Sequence, residues 1–376
     1  MRGHITQRRP GVWRIVVSNG FSTDGKRRQI TRTVEGSKRD AERALTKTLG
    51  ELDNKKLAGG RQPLASFLAE EWLPSVSAVS KRGRPLAPTT RQRYRDSVRH
   101  VSGIIGRVRL CDLEPIHVER VRDRLLADGL GPQTVSDVLR VLSQALSRAQ
   151  ARGLVGKNPA DPKLVHRPAG SASSFVVIDR ELGSKILEAV VGAPPWDAAV
   201  HLALGLGLRR EEVLGLRWED VDDVVRVRQT LTAAEGSFHF GPPKSKAGRR
   251  DLPLPAFVAQ ALKRHRKTQA ERLLAIGLPR PELVVDNGIG EPWQPATFSG
   301  AWKDFAEAHG FAGITFHGLR HGAATLLLAA GVSDTVAMRT MGHADTRILA
   351  RYQDVVSELQ RDAAARMDEL LGGEHG

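Results

Sequence analysis

Two interruptions constrain this chain more than any other feature. LAGGRQP at 57–63 and the Pro-, Ser- and Gly-rich run 158–174 are made of residues that break both helix and strand, so each reads as a linker. At 376 residues the chain is also too long for one ordinary core. The breaks predict three parts, 1–60, 61–168 and 169–376. Periodicity between them predicts a multidomain fold, mainly α with small β-sheets.

In the first part, residues 10–34 read as strands. VWRIVV and QITRTV are β-branched, with turn signals at Asn19-Gly20 and Asp24-Gly25. Ser37 with Asp40 three residues on resembles a capping box and opens a helix through AERALTKTLGEL. A β-ribbon fits the major groove of DNA, so Arg14, Lys26, Arg27, Arg28 and Arg32 are candidate DNA contacts. The second part reads as all helix: LASFLAEEWLPSV, a basic loop SKRGRP at 80–85, and a helix opened by Pro88-Thr89-Thr90. In that helix Tyr94, Val98, Val101 and Ile105 form the apolar stripe, and Arg91, Arg93, Arg95 and Arg99 line the other face at a density that suggests phosphate contacts to DNA. Two further helices follow, broken at GLGP, then a turn and NPA.

Charge is distributed unevenly. The net charge is +15, but residues 1–60 carry 14 Lys and Arg against 6 Asp and Glu, and residues 61–170 carry 19 against 10. Residues 171–376 carry 24 against 26. The N-terminal half is therefore suited to gripping a polyanion broadly, and the C-terminal half must place its cations locally. Cys111 is the only cysteine, which excludes an intramolecular disulfide and a cysteine-based zinc site and fits a reducing cytoplasm. The N-terminus has no apolar signal core, and the longest apolar runs, around Ala198–Leu208 and Ala323–Ala330, are too short to span a bilayer. No membrane role is expected.

Chemistry concentrates in residues 317–352. His317 and Arg320 are three apart and share a helix face. The apolar run to Ala330 buries the rest of that helix, and Gly331 suits its end. Ser333 can cap a second helix that Gly342 would end, which leaves His343 in a turn and Tyr352 nine residues further on. A phenol to attack, guanidiniums to hold phosphate and imidazoles to move protons suit phosphoryl transfer. His317, His321 and His343 could instead hold zinc, but no acid lies between the first two and Arg320 would add positive charge beside the metal. No metal and no cofactor are expected.

HGLRHG, MGH and the RY nine residues on resemble the C-terminal box of the tyrosine recombinases, the phage integrase family. LGLRREEVLGLRWEDVD is similar to the family's first box, T-G-x-R-x-x-E-x-x-x-L-x-W-x-D, with Leu206 in place of the threonine. The match puts Arg209 on the first catalytic arginine and Glu212 on the acid that orients the site; Trp218 and Asp220 complete the box. By spacing, 202–222 reads as one helix. Strands at 225–231 and 249–255 flank GPPKSKAGR, where the family carries its lysine in P-K-T-x-x-S. The resemblance puts the lysine role on Lys244, with Lys246, otherwise a DNA contact, as competitor. The L-x-D-L-x-P, G-L-x-x-x-T-V and G-L-V-x-x-N-P-A runs resemble the core-binding domain, and the N-terminal part resembles the arm-binding domain of many integrases.

The resemblance covers nearly the whole chain. It implies a small sheet-and-helix arm domain, an all-α core-binding domain and a mixed α/β catalytic domain with a C-terminal tail. It also implies catalysis by Arg209, Lys244, His317, Arg320, His343 and Tyr352, with Glu212 in support. Tyr352 would form a 3′-phosphotyrosyl bond, and strands would be exchanged between attachment sites of a phage or mobile element. A homotetramer on double-stranded DNA, a host DNA-bending protein and an excisionase would be the partners, in a bacterial cytoplasm at the nucleoid. The amphipathic segment after Tyr352, with Leu359, Ala363, Met367 and Leu370 on one side, would pack on a neighbouring subunit or on its own. Type IB topoisomerase chemistry and a non-catalytic DNA-binding regulator are the competing functions.

Overall fold

The computed structural model describes residues 3–21, 27–58, 61–78, 83, 85–170 and 176–342. The chain divides into two compact units, Met1–Ala172 and Ser173–Gly376.

The first unit opens with a three-stranded antiparallel sheet in the order β1 (Gly3–Arg9), β2 (Val12–Phe21), β3 (Arg27–Glu35), covered on one face by α1 (Lys38–Ala58). Strand β1 was not expected; its mostly polar, exposed residues carry no apolar alternation. Ile15 and Val17 are buried. Val17 is paired with Gly3, whose α-carbon lies close to Leu45 of α1, so this is the helix-covered face. The expected capping box is present: the Ser37 N–H donates to Asp40 Oδ2 at 2.9 Å and the Asp40 N–H to Ser37 Oγ at 3.3 Å. The Ser37 hydroxyl bond holds the Asp40 carboxyl below the ordinary range.

The rest of this unit is helical. α2 (Leu64–Ser66) and α3 (Leu73–Ala78) are joined by a π-helical turn over Phe67–Trp72. α4 (Pro88–Ile105), α5 (Pro115–Ala127) and α6 (Pro132–Ala151) follow, each with proline at its first position, where a missing N–H costs nothing. Their apolar stripes close one core that includes Phe67, Trp72, Val101, Val121, Leu139 and Leu146. The stretch 158–174, expected as a free linker, is partly docked. Asn158 Nδ2 donates to the Ser143 carbonyl at 3.0 Å and to Ser147 Oγ at 2.9 Å, and Ala160 and Val165 are buried. The loop at 80–85 falls largely outside the described residues.

The second unit contains α7 (Arg180–Ala189), α8 (Trp196–Val200), α9 (Arg210–Gly215), β4 (Val224–Val227), β5 (Thr230–Ala234), β6 (Ser237–Gly241), β7 (Arg250–Pro253), α10 (Ala256–Ala275), α11 (Pro295–Ala308), α12 (Phe316–Ala329) and α13 (Asp334–Met341). Its core gathers Trp196, Phe298, Trp302 and Phe316, with Phe316 edge-on to both Phe298 and Trp302. Residues 202–222 are not one helix. The helix of α8 ends in a π-helical turn over His201–Gly205, Gly207 turns back at φ +66°, and α9 then starts afresh. The strands also differ from expectation. β4 pairs with β7, and a separate hairpin β5–β6 is inserted between them, turning at Glu235 and Gly236, both at positive φ. Ser333 occupies the N-cap of α13 without a side-chain capping bond, whereas Thr315 Oγ1 does cap α12, accepting from the Gly318 N–H at 3.0 Å. Among the described residues no helix is long and apolar enough to cross a membrane.

Candidate active site

The break at Gly207 aims the site. It ends the helix on a left-handed residue and leaves Arg209 extended at the N-cap of α9. Glu212, one turn on, folds back to accept from the Arg209 backbone N–H at 2.9 Å and from Arg209 Nη1 at 2.7 Å. The carboxylate is 1% exposed, so it must be neutralised by protein. Burial pushes its pKa up, but the charged hydrogen bonds from Arg250, followed by those of Arg209, more than offset this and hold it below the ordinary glutamate value.

Helix α12 packs against the turn His201–Gly205, which brings Arg320 to the same carboxylate. Arg320 is 2% exposed; Nη1 lies 3.9 Å from Glu212 Oε2 and donates to the Gly207 carbonyl, and Nη2 donates to the Met341 carbonyl. Arg209 is the more open of the two, at 30%, and its Nη2 donates to the Gly342 carbonyl at 3.1 Å. Gly342 ends α13 at φ +62° as expected. A Cβ there would stand 2.9 Å from the Ala247 carbonyl oxygen, so this turn lies directly on the lysine loop.

His317 stands one turn before Arg320 on α12, edge-on to His321 with ring centroids 4.8 Å apart. The surrounding protein removes enough water to lower its pKa, and the guanidiniums of Arg320, Arg209 and Arg210 add to that against the opposing Glu211. Part of its surface stays exposed. It borders a cleft of 510 Å³ lined also by Arg210, Glu211, Ser299 and Thr315. Lys244 and Lys246 are both exposed on the loop between β6 and β7, where Ser245 precedes a short turn over Lys246–Gly248. His343 and Tyr352 lie outside the described residues. Among the described residues no group of three His, Cys, Asp or Glu is placed to hold a metal.

The remaining expected contacts divide by position. Arg93 and Arg95 are exposed on α4 and Arg91 is half-buried. The Arg93 guanidinium lies 6.0 Å from the centroid of the Tyr94 ring, which stacks on Trp72. Arg14 pairs with Thr33 on the sheet face turned away from α1, and its Nε is buried without a hydrogen-bond partner. Arg32 is opposite Ile15 and so stands on the helix-covered face, where Nη1 lies 3.4 Å from Thr48 Oγ1. That departs from the expected cluster, because a basic strand read without its register cannot tell one face from the other. Arg27 and Arg28 fall on the backbone of β3, and Lys26 lies outside the described residues.

Sequence reasoning missed two charged residues at this site. Arg250, on β7, chelates Glu212 with Nη1 at 3.1 Å and Nη2 at 3.0 Å. Arg210 reaches from α9 to Ser299 Oγ at 2.7 Å and to Glu211 at 2.6 Å. Arg210 falls on an unspecified position of the first box and Arg250 just past the lysine motif, so neither carries a signal of its own.

Residues 185–358 match the model of the phage integrase family. The chain is 25% identical to a XerC-like tyrosine recombinase of Caldanaerobacter subterraneus subsp. tengcongensis, over 96% of each chain. It is 27% identical to a putative prophage phiRv2 integrase of Mycobacterium tuberculosis, over 98% of this chain and 95% of that one. Its fold is similar to that of the Tn1549 transposon integrase in complex with a circular intermediate DNA, with a TM-score of 0.64 at 20% identity over 80% of this chain and 99% of that one. It is also similar to a chain of a lambda integrase tetramer bound to a Holliday junction, with a TM-score of 0.57 at 18% identity over 91% and 96%. Residues 185–358 thus form a phage integrase family domain, and the protein is a tyrosine site-specific recombinase.

Proposed function

We propose that this recombinase integrates and excises a phage or other mobile element, and that Tyr352 is its nucleophile. The carrying observation is the arrangement around Glu212, which holds Arg209 and Arg320 together beside His317. The phenol oxygen of Tyr352 attacks a DNA phosphorus while His317 accepts its proton. The bond to the 5′ oxygen breaks, and the Lys244 ammonium protonates that leaving oxygen. Arg209 and Arg320 hold the two non-bridging oxygens, where charge grows in the pentacoordinate state. His343 hydrogen-bonds the phosphate or supports the nucleophile. A free 5′-hydroxyl from a second strand reverses the attack, with no external energy source.

In the same reading residues 1–60 form an arm-type DNA-binding domain, 61–168 the core-binding domain and 169–376 the catalytic domain with its tail. The partners are double-stranded attachment sites, bound as a homotetramer, with a bending protein and an excisionase, at the nucleoid of a bacterial cytoplasm. This is supported by the basic N-terminal half and by relatives named as prophage and transposon integrases.

Covalent trapping tests the reading. The protein is incubated with nicked duplex carrying the sequence it protects from nuclease, then denatured in SDS, with Tyr352→Phe alongside. An adduct mapped to Tyr352 and absent from the variant is expected; a two-duplex exchange assay then separates recombination from topoisomerase-like relaxation. Tight binding with no adduct leaves a DNA-binding regulator.

A further inference from the structure

Three arginines converge on Glu212, and the chemistry proposed above uses two. Arg250 does not face the cleft beside His317, and its side chain is 6% exposed against 1% for the carboxylate it binds. Its donors are spread across three segments. Nη1 and Nη2 chelate Glu212 of α9, Nε donates to the Thr340 carbonyl near the end of α13 at 2.7 Å, and Nη1 also donates to the Gly248 carbonyl at the end of the lysine loop at 3.0 Å. The turn at Gly342 closes over this guanidinium, leaving 3.0 Å between Nη1 and the place a Cβ would take.

We propose that Arg250 is a positioning residue for strand cleavage, which fixes Glu212 against Arg209 and Arg320 and locks the distal end of the lysine loop to the last turn of α13. An arginine that served only as a counter-ion would need just the carboxylate. Here one rigid planar group spans the phosphate-binding arginines, the loop that carries Lys244 and the turn that leads to His343. Lysine keeps the charge but not the fork, since an ammonium cannot meet both carboxylate oxygens and two carbonyls in one plane. The assignment rests on the recombinase mechanism above.

Arg209, Arg250 and Arg320 are the charged groups that face Glu212 among the described residues, and Arg250 gives the strongest stabilisation of its ionised form. Weakening that fork therefore raises the Glu212 pKa.

The test uses full-length protein, the nicked site DNA and single-turnover adduct formation, with binding measured separately. For Arg250→Lys, binding within about twofold of the unsubstituted protein is expected. Adduct formation should be slower by about a hundredfold, the scale of a small misplacement of catalytic groups. Arg250→Lys that cleaves at the unsubstituted rate overturns the assignment, as does a loss confined to affinity. If Arg250→Lys does not fold, Arg250→Gln carries the test, because Arg209 and Arg320 still face the Glu212 carboxylate. It is expected to fold, bind and lose cleavage; full cleavage by it overturns the proposal. If the unsubstituted protein itself forms no adduct on bound DNA, the mechanism fails, whatever the variants do.

Discussion

His317 is placed to work as a neutral imidazole. Partial desolvation and three neighbouring guanidiniums depress its pKa from the ordinary value of about 6.5, so at neutral pH it can accept a proton. Because the folded value lies below the unfolded one, the stability this group contributes is complete above about 6.5 and falls as the pH drops toward the folded value. An imidazole NMR titration of the DNA-free protein, assigned with His317→Gln, is expected to place His317 below 6.5. A midpoint at or above that value would show that the guanidiniums do not crowd it as described. Glu212 runs in the same direction at lower pH: its depressed pKa stabilises the fold above the unfolded glutamate value and is lost as the pH falls through the folded one. At this scale much of the site was legible. His317 and Arg320 share a helix turn, so spacing pairs them, whereas spacing reads Arg209 and Glu212 as surface charges of a core helix and only the resemblance to the family's first box singles them out. Arg250 and the carbonyls of Gly207 and Met341 were not legible, because the hydrogen bonds that give them a role span 38, 113 and 21 residues and exist only after folding.

At the scale of elements, two glycines that end helices separate local conformation from packing. Gly331 and Gly342 are both left-handed, at φ +75° and +62°, as expected of helix stops. A Cβ at Gly331 meets nothing within 4 Å, whereas at Gly342 it meets backbone of the lysine loop and Arg250. Gly331→Ala should therefore cost only the left-handed strain, about 1 kcal/mol, and Gly342→Ala that strain plus a forced shift, about 2–4 kcal/mol together. Denaturant unfolding followed beside adduct formation checks this. Gly342→Ala should lose both stability and cleavage, and equal losses in the two variants would show that the turn and the loop are not packed as described. The inserted hairpin β5–β6 shows what element-level reading cannot recover. Its turn is Glu235-Gly236, and a glutamate at positive φ gives none of the Asn-Gly or Asp-Gly signal seen at 19–20 and 24–25.

For the whole molecule, charge and chemistry are segregated. Residues 1–170 hold the entire positive excess, and residues 171–376, which carry every proposed catalytic group, are slightly acidic. A catalytic unit without a positive excess gains little from non-specific attraction, so residence on DNA must come from the N-terminal part, and it must weaken steeply with salt. The exposed arginines of α4 are the clearest handle, since Arg93 and Arg95 leave the apolar stripe of that helix intact when removed. The double variant Arg93→Ala with Arg95→Ala should bind site DNA more weakly and reduce the slope of log K against log salt by about two, one for each phosphate that is no longer neutralised. Adduct formation on DNA held saturated at low salt should stay within a few-fold of the unsubstituted rate, because no proposed catalytic group is touched. An unchanged salt slope would mean that α4 does not meet the backbone. The polyanion would then have to be held by the other basic residues of the N-terminal part.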